Sequence, residues 1–348
     1  MQPSNSKLNF IGTPQADLLL RHGLERLPHA LLLTGPGGLG KADFGAWLAH
    51  LLLCEAPKRD MSACGECEAC RWFAGGNHPD FRHIAPAAEA DEESDGREKS
   101  KKRASGNIRI DQIRELESFI AVGSHRNGRR VVLLTEADAM NGAAANSLLK
   151  ILEEPPSSIY FILVSSRSRF LLPTVRSRCR ALGFSPPDPD TARRILSDSG
   201  CGTQSARYLG LAGGAPFRVA QWMKDEMLGP LDSVIESLIS PPGDPMALAN
   251  RWDGILKSET GFKLDQLVEA VQRWVFDLTQ DALAGRIHYH TDWKKQTKVP
   301  GGHSTEALIG AWQQLIQFRR SSRHPLNQLL FLESLATEFL RATRPVRQ

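Results

Sequence analysis

The sequence offers no stretch able to cross a bilayer, since no apolar run approaches the ~20 residues such a helix requires. Its start, MQPSNSKLNF, has no apolar core of the kind a secretory signal needs. Charge of one sign is scarce too. Forty-three basic and 39 acidic side chains leave a formal +4, too little to demand a nucleic-acid partner by itself, although local basic patches remain open. These absences lead us to expect a cytoplasmic chain. With 41% hydrophobic and 24% charged residues, its 348 residues have an ordinary globular composition and are enough for two or three domains.

Cysteine is sparse and uneven. Cys54, Cys64, Cys67 and Cys70 fall within one short stretch, while Cys179 and Cys201 stand apart. A disulfide scaffold is not expected in a long chain without a secretion signal. The spacing C-x9-C-x2-C-x2-C gives four thiolates that short turns can wrap around one tetrahedral ion, and four protein ligands leave no open position, so we expect structural Zn²⁺. An iron–sulfur cluster is the rival, but the following RWFAGG lacks a further C-x3-C-P element. Four incidental thiols are the bland alternative.

A second absence is more telling. The stretch TGPGGLGKAD follows the phosphate-cradling pattern G-x-x-x-x-G-K-[ST] through Gly35, Gly40 and Lys41, with Gly37 and Gly38 inside it, and then places Ala42 where a hydroxyl for Mg²⁺ belongs. The context is favourable. ALLLTG reads as a short buried strand, and KADFGAWLAHLLLC puts Phe44, Trp47, Leu48, Leu51 and Leu52 at helical spacing, so loop N–H groups and a helix start would face the same anion. A glycine turn without ligand remains the alternative. Further on, Val131 to Leu134 form an expected buried strand whose C-terminal end should carry the Asp that holds the metal's hydration shell. Thr135 occupies that place, followed by Glu136. Both positions that would handle one Mg²⁺ are therefore missing.

Between these segments, HPDFRHIAP reads as a strand, Ala87 to Gly106 as a charged solvated loop, and NIRIDQIRELESFIAV as a helix faced by Ile113, Leu116, Phe119 and Ile120. The segment after the Val131 to Leu134 strand carries Ala144-Ala145-Asn146-Ser147-Leu148-Leu149-Lys150, Leu152-Glu153-Glu154-Pro155-Pro156 and Ser177-Arg178-Cys179. Plainly read, Leu148, Leu149 and Leu152 face a core, the prolines stop the helix, and the arginines 176, 178 and 180 form a solvated run. Together with the four-cysteine insertion, these motifs resemble the AAA+ clamp-loader subunits of the bacterial DNA polymerase III holoenzyme, over about Leu8 to Arg218.

The resemblance implies an α/β AAA+ fold, a RecA-like parallel sheet with a P-loop and a zinc insertion, followed by a small helical domain and an all-α collar. It implies a ring of subunits in which ATP-hydrolysing gamma or tau and delta open the beta sliding clamp and place it on primed DNA. Within it, Ser165 and Ser166 take the place of a polar sensor, and Arg178 becomes an arginine finger offered to the neighbouring subunit's ATP. The motor pattern G-S-x-R appears as GAPF, with Phe217 where a nucleotide-sensing arginine would sit and Arg218 beside it. We therefore expect a non-hydrolysing stator, a non-catalytic subunit of a DNA-directed DNA polymerase, with weak or no nucleotide at Gly35, Gly37, Gly38, Gly40 and Lys41.

The proline-rich FSPPDPD and the pair Gly229-Pro230 suggest boundaries, giving a nucleotide-fold domain over 1–185, a helical lid over 186–228 and a helical collar over 229–348. Two rival readings come from other classes. Intact Gly35, Gly40, Lys41 and Glu136 would suit a gamma-type ATPase motor, against which stand Ala42, Thr135 and Phe217. A zinc-dependent DNA-binding protein is the third, and the cysteines bring no basic recognition helix to support it.

Overall fold

A computed structural model of the chain describes residues 15, 19, 23–60, 62–86, 106–121, 128–156, 158–258, 261–294, 304–322 and 327–344. The chain divides into two compact units, 1–187 and 188–348. Most of the charged segment Ala87 to Gly106 lies outside the described residues.

The first unit is built on five parallel strands, β1 (Ala30–Thr34), β2 (Phe81–Ile84), β3 (Arg130–Leu134), β4 (Ile159–Ser165) and β5 (Arg180–Gly183), in the order β2-β3-β4-β1-β5. Short apolar runs suit this architecture because strands covered on both faces need no polar alternation. Helix α1 (Lys41–Leu53) covers one face, where Gly45 sits so close to the sheet that a Cβ would stand 2.8 Å from Leu133 Cδ1. The opposite face carries Leu32, Val132, Leu134, Phe161 and Leu163. It is closed by Leu116 of α3 (Ile110–Ala121), Leu148 of α4 (Gly142–Glu153) and Val175 of α5 (Pro173–Ser177). The short α2 (Glu68–Ala74) carries the last of the clustered cysteines. Because β1 lies between β4 and β5 in the sheet, the loop after β1 meets the ends of β4 and β5 directly.

The second unit is helical. It comprises α6 (Pro189–Asp198), α7 (Pro216–Lys224), α8 (Leu228–Ile239), α9 (Pro245–Lys257), α10 (Leu264–Ala284), α11 (Thr305–Ser321) and α12 (Gln328–Thr343). Gly229-Pro230 does not interrupt the chain here. Both residues sit in the first turn of α8, where a helix has no N–H partner to lose and proline is tolerated. Trp252 on α9 is fully buried near Phe339 of α12 and donates its indole N–H to Ser237 Oγ at 2.8 Å.

Candidate functional site

The glycine loop closes over the end of β1 with Gly35, Gly38 and Gly40 all at positive φ, which only glycine adopts without strain. Lys41 opens α1 and its side chain turns back into the loop. Its Nζ donates to the carbonyls of Gly35 at 2.8 Å and Pro36 at 2.5 Å and to Ser166 Oγ at 3.2 Å. Only 4% of Lys41 is exposed, and burial pushes its ammonium down to about 8, with the negative charge of Asp138 opposing the shift. Each ammonium hydrogen thus has an oxygen supplied by the chain itself.

Around the ends of β3 and β4 the polar groups are equally committed. Thr135 Oγ1 is 3.0 Å from His83 Nε2, whose pKa burial lowers. Asp138 lies in the short 3-10 turn after β3. It accepts from Ser165 Oγ at 2.7 Å, from the Ser166 N–H at 3.2 Å and from Arg167 Nε at 2.9 Å. Burial works against its ionisation, but the bonds from Ser165 and Arg167 outweigh that and hold its carboxyl below the usual range. A chain of contacts runs from Lys41 through Ser166 to Asp138 and Arg167. It joins the loop to the ends of β3 and β4.

Arg178 is elsewhere. It caps α5, donates from Nη1 to the Thr174 carbonyl at 3.2 Å, and pairs through Nη2 with Glu153 Oε1 at 2.5 Å. In the second unit Arg218 donates to Glu269 Oε1 at 3.1 Å, a carboxylate it shares with Arg273 and Arg319.

The four clustered cysteines converge. The Sγ atoms of Cys54, Cys64, Cys67 and Cys70 lie within 4.8 Å of one another, and Cys64 and Cys70 are 3.8 Å apart. Four sulfurs at ~2.3 Å from a tetrahedral zinc would be separated by about 3.8 Å, so this set fits such an ion. The backbone is arranged for thiolates. N–H groups of Cys64, Cys67 and Cys70 donate to the sulfurs of Cys54, Cys64 and Cys67 at 3.2, 3.3 and 3.4 Å. Backbone N–H groups of Cys67 and Glu66 lower the Cys64 thiol to about 6, whereas burial raises Cys54 and Cys70. Cys179 and Cys201 are not part of the cluster.

Comparison with known proteins bears on what this arrangement belongs to. Residues 18–188 match the family described as DNA polymerase III, delta subunit. The chain is 31% identical over 330 residues to the DNA polymerase III subunit delta' of Pseudomonas aeruginosa, covering 89% of this chain and 91% of that one. The chain belongs to the DNA polymerase III delta-prime family. Its Escherichia coli member is 34% identical over 281 residues, which is 78% of this chain and 74% of the other. Outside the delta-prime family, the gamma/tau subunit of Mycobacterium bovis is 29% identical over 71% of this chain but only 39% of its own length.

Set beside the sequence reading, the structure brings the loop glycines and Lys41 together at one end of the sheet and the four cysteines together at another point. Arg178 belongs to neither group and caps the C-terminal end of α5. Asp138 was missed. An acid four residues past the strand end, beside a strand whose end and exit read Ser-Ser-Arg, was the available signal. Glu153 as the partner of Arg178 left no local signal, because 25 residues separate them in the chain.

Proposed function

We propose that this delta-prime family member is the non-hydrolysing stator of the polymerase III clamp loader. It assembles with gamma or tau and with delta to load the beta sliding clamp on primed DNA, and it supplies Arg178 in trans to a neighbour's ATP. The observation that carries the reading is the state of the loop. Lys41 is folded onto the loop's own carbonyls, Ala42 brings no hydroxyl to the position after it, and the strand-end position holds Thr135, its hydroxyl within hydrogen-bond distance of His83, in place of the carboxylate the motor pattern needs for Mg²⁺. A guanidinium given to a neighbour requires an intact fold but no chemistry at home. Zn²⁺ at Cys54, Cys64, Cys67 and Cys70 would serve the fold, since four thiolates leave no position for a substrate. Division of the second unit into a lid to residue 228 and a collar from 229 belongs to the same proposal.

The test is ATP turnover by the isolated chain. It should not exceed that of a Lys41→Ala control, whereas Arg178→Ala, assembled with wild-type partners, should lower their clamp-stimulated turnover and leave assembly intact. Multiple turnovers by the isolated chain, lost in Lys41→Ala, would replace this reading with a gamma-type motor.

A further inference from the structure

Glu153 and Arg178 make a contact that neither residue's own element explains. Glu153 is the last residue of α4, where the negative end of the helix dipole disfavours a carboxylate. Its position is nevertheless fixed. The preceding Leu152 is buried in the core with Leu148 and Ala144, and Pro155-Pro156 end the helix just beyond. The other arginines of the run are treated differently, because neither Arg176 nor Arg180 is ion-paired with any described residue. The one at the Ser-Arg-Cys position receives the carboxylate.

We propose that Glu153 is a positioning residue for Arg178, holding the guanidinium in the orientation from which it meets a neighbouring subunit's nucleotide phosphates. This rests on the in-trans role proposed above. The geometry suits orientation without capture. Thr174 O and Glu153 Oε1 take one N–H each from Nη1 and Nη2, which leaves three of the five guanidinium N–H donors for phosphate oxygens. Magnitudes point the same way. Both partners are exposed by more than a third, and exposed pairs shift an equilibrium only about 1.5- to 5-fold, whereas an arginine finger is worth about 10³ to 10⁵ in rate. Such a pair biases the rotamers of a long side chain and yields at once to a phosphate.

The experiment uses the assembled clamp loader with wild-type partner subunits and compares Glu153→Ala, Glu153→Gln, Arg178→Ala and the double variant. Glu153→Ala should lower kcat for clamp-stimulated ATP turnover about two- to fivefold with KM for ATP unchanged. Glu153→Gln, which keeps an acceptor of the same reach, should fall between it and wild type. In the Arg178→Ala background the Glu153 change should add nothing. A merely structural Glu153 would instead lower assembly and add its loss to that of Arg178→Ala, which would overturn the proposal. So would a Glu153→Ala complex that matches or exceeds wild type while Arg178→Ala is impaired, and in that case the in-trans finger still stands. An Arg178→Ala complex with undiminished turnover would remove both.

Discussion

A Cβ on Gly35 would stand 2.2 Å from the Phe184 carbonyl oxygen, and the residue's φ is +136°. Two residues on, a Cβ on Gly37 would meet nothing nearer than Ser166 Oγ at 3.7 Å, at an ordinary φ. The first glycine is therefore demanded by the packing of β1's exit against β5, whatever the loop binds. Gly35→Ala should cost at least about 2 kcal/mol in urea unfolding, from overpacking against backbone and an unfavourable φ, while Gly37→Ala should cost less than about 1. Equal losses would mean that both glycines serve the fold. Lys41 makes a pH-dependent prediction at the same scale. Its folded pKa of about 8 lies below the ordinary 10.5 because of burial, so between those values the unfolded chain binds more protons and stability rises with pH. Relative to Lys41→Met, the wild-type chain should gain about 1 to 3 kcal/mol between pH 8 and 10.5. A flat difference would show that the ammonium is solvated.

At the scale of elements, the cysteine module sits between α1 and α2, and its turns are held by sulfur-directed N–H bonds instead of a large apolar core. Structural zinc sites contribute about 10 to 16 kcal/mol of apparent binding energy, so the local fold should depend on the ion. Elemental analysis should find one zinc per chain, lost in Cys70→Ser with a lower melting temperature and retained in Cys179→Ser and Cys201→Ser. Iron with visible absorbance, or zinc retained in Cys70→Ser, would reject the assignment. This module was legible in the sequence because its four cysteines are close together in the chain and their spacing is itself the geometry. Strands β1, β2 and β3 and helices α1, α3 and α4 were legible because their apolar residues run, or repeat, at the spacing that buries them. Gly229-Pro230 marks the start of a helix and not a linker; a proline in the first turn of a helix and a proline in a linker look alike without knowing where the N–H groups go. Asp138 and Glu153 escaped because each acquires its role from a strand or helix more than twenty residues away.

At the scale of the molecule, the second unit joins what the sequence suggested were separate lid and collar segments. Tyr208 donates its hydroxyl to Asp232 at 2.6 Å, Arg273 bonds to the Leu211 carbonyl, and Gly210 approaches so closely that a Cβ would lie 2.4 Å from Tyr289 O. Asp277 on α10 gathers the N–H groups of His288, Tyr289 and His290 and pairs with His290 Nδ1 at 2.7 Å, fixing the segment that Gly210 presses against. Glu269 is the centre of the joint. Burial opposes its ionisation, but Arg273, Arg218 and Arg319 outweigh burial and keep it charged, while burial lowers Arg273 itself to about 10. Removing this carboxylate would leave three guanidiniums to repel one another, one of them almost buried, and breaking such a pair typically costs about 3 to 5 kcal/mol. Two of the three partners are more exposed, so the lower end applies. Glu269→Ala should therefore destabilise the second unit by about 3 kcal/mol and Glu269→Gln by less. Tryptophan fluorescence is a suitable probe, because five of the seven tryptophans, Trp222, Trp252, Trp274, Trp293 and Trp312, belong to residues 188–348, and replacing Trp47 and Trp72 with Phe restricts it to them. The melting transition they report should fall in Glu269→Ala, and zinc content, set in the first unit, should not change. If the fluorescence transition stays at its wild-type temperature, the Glu269 cluster does not hold the second unit together.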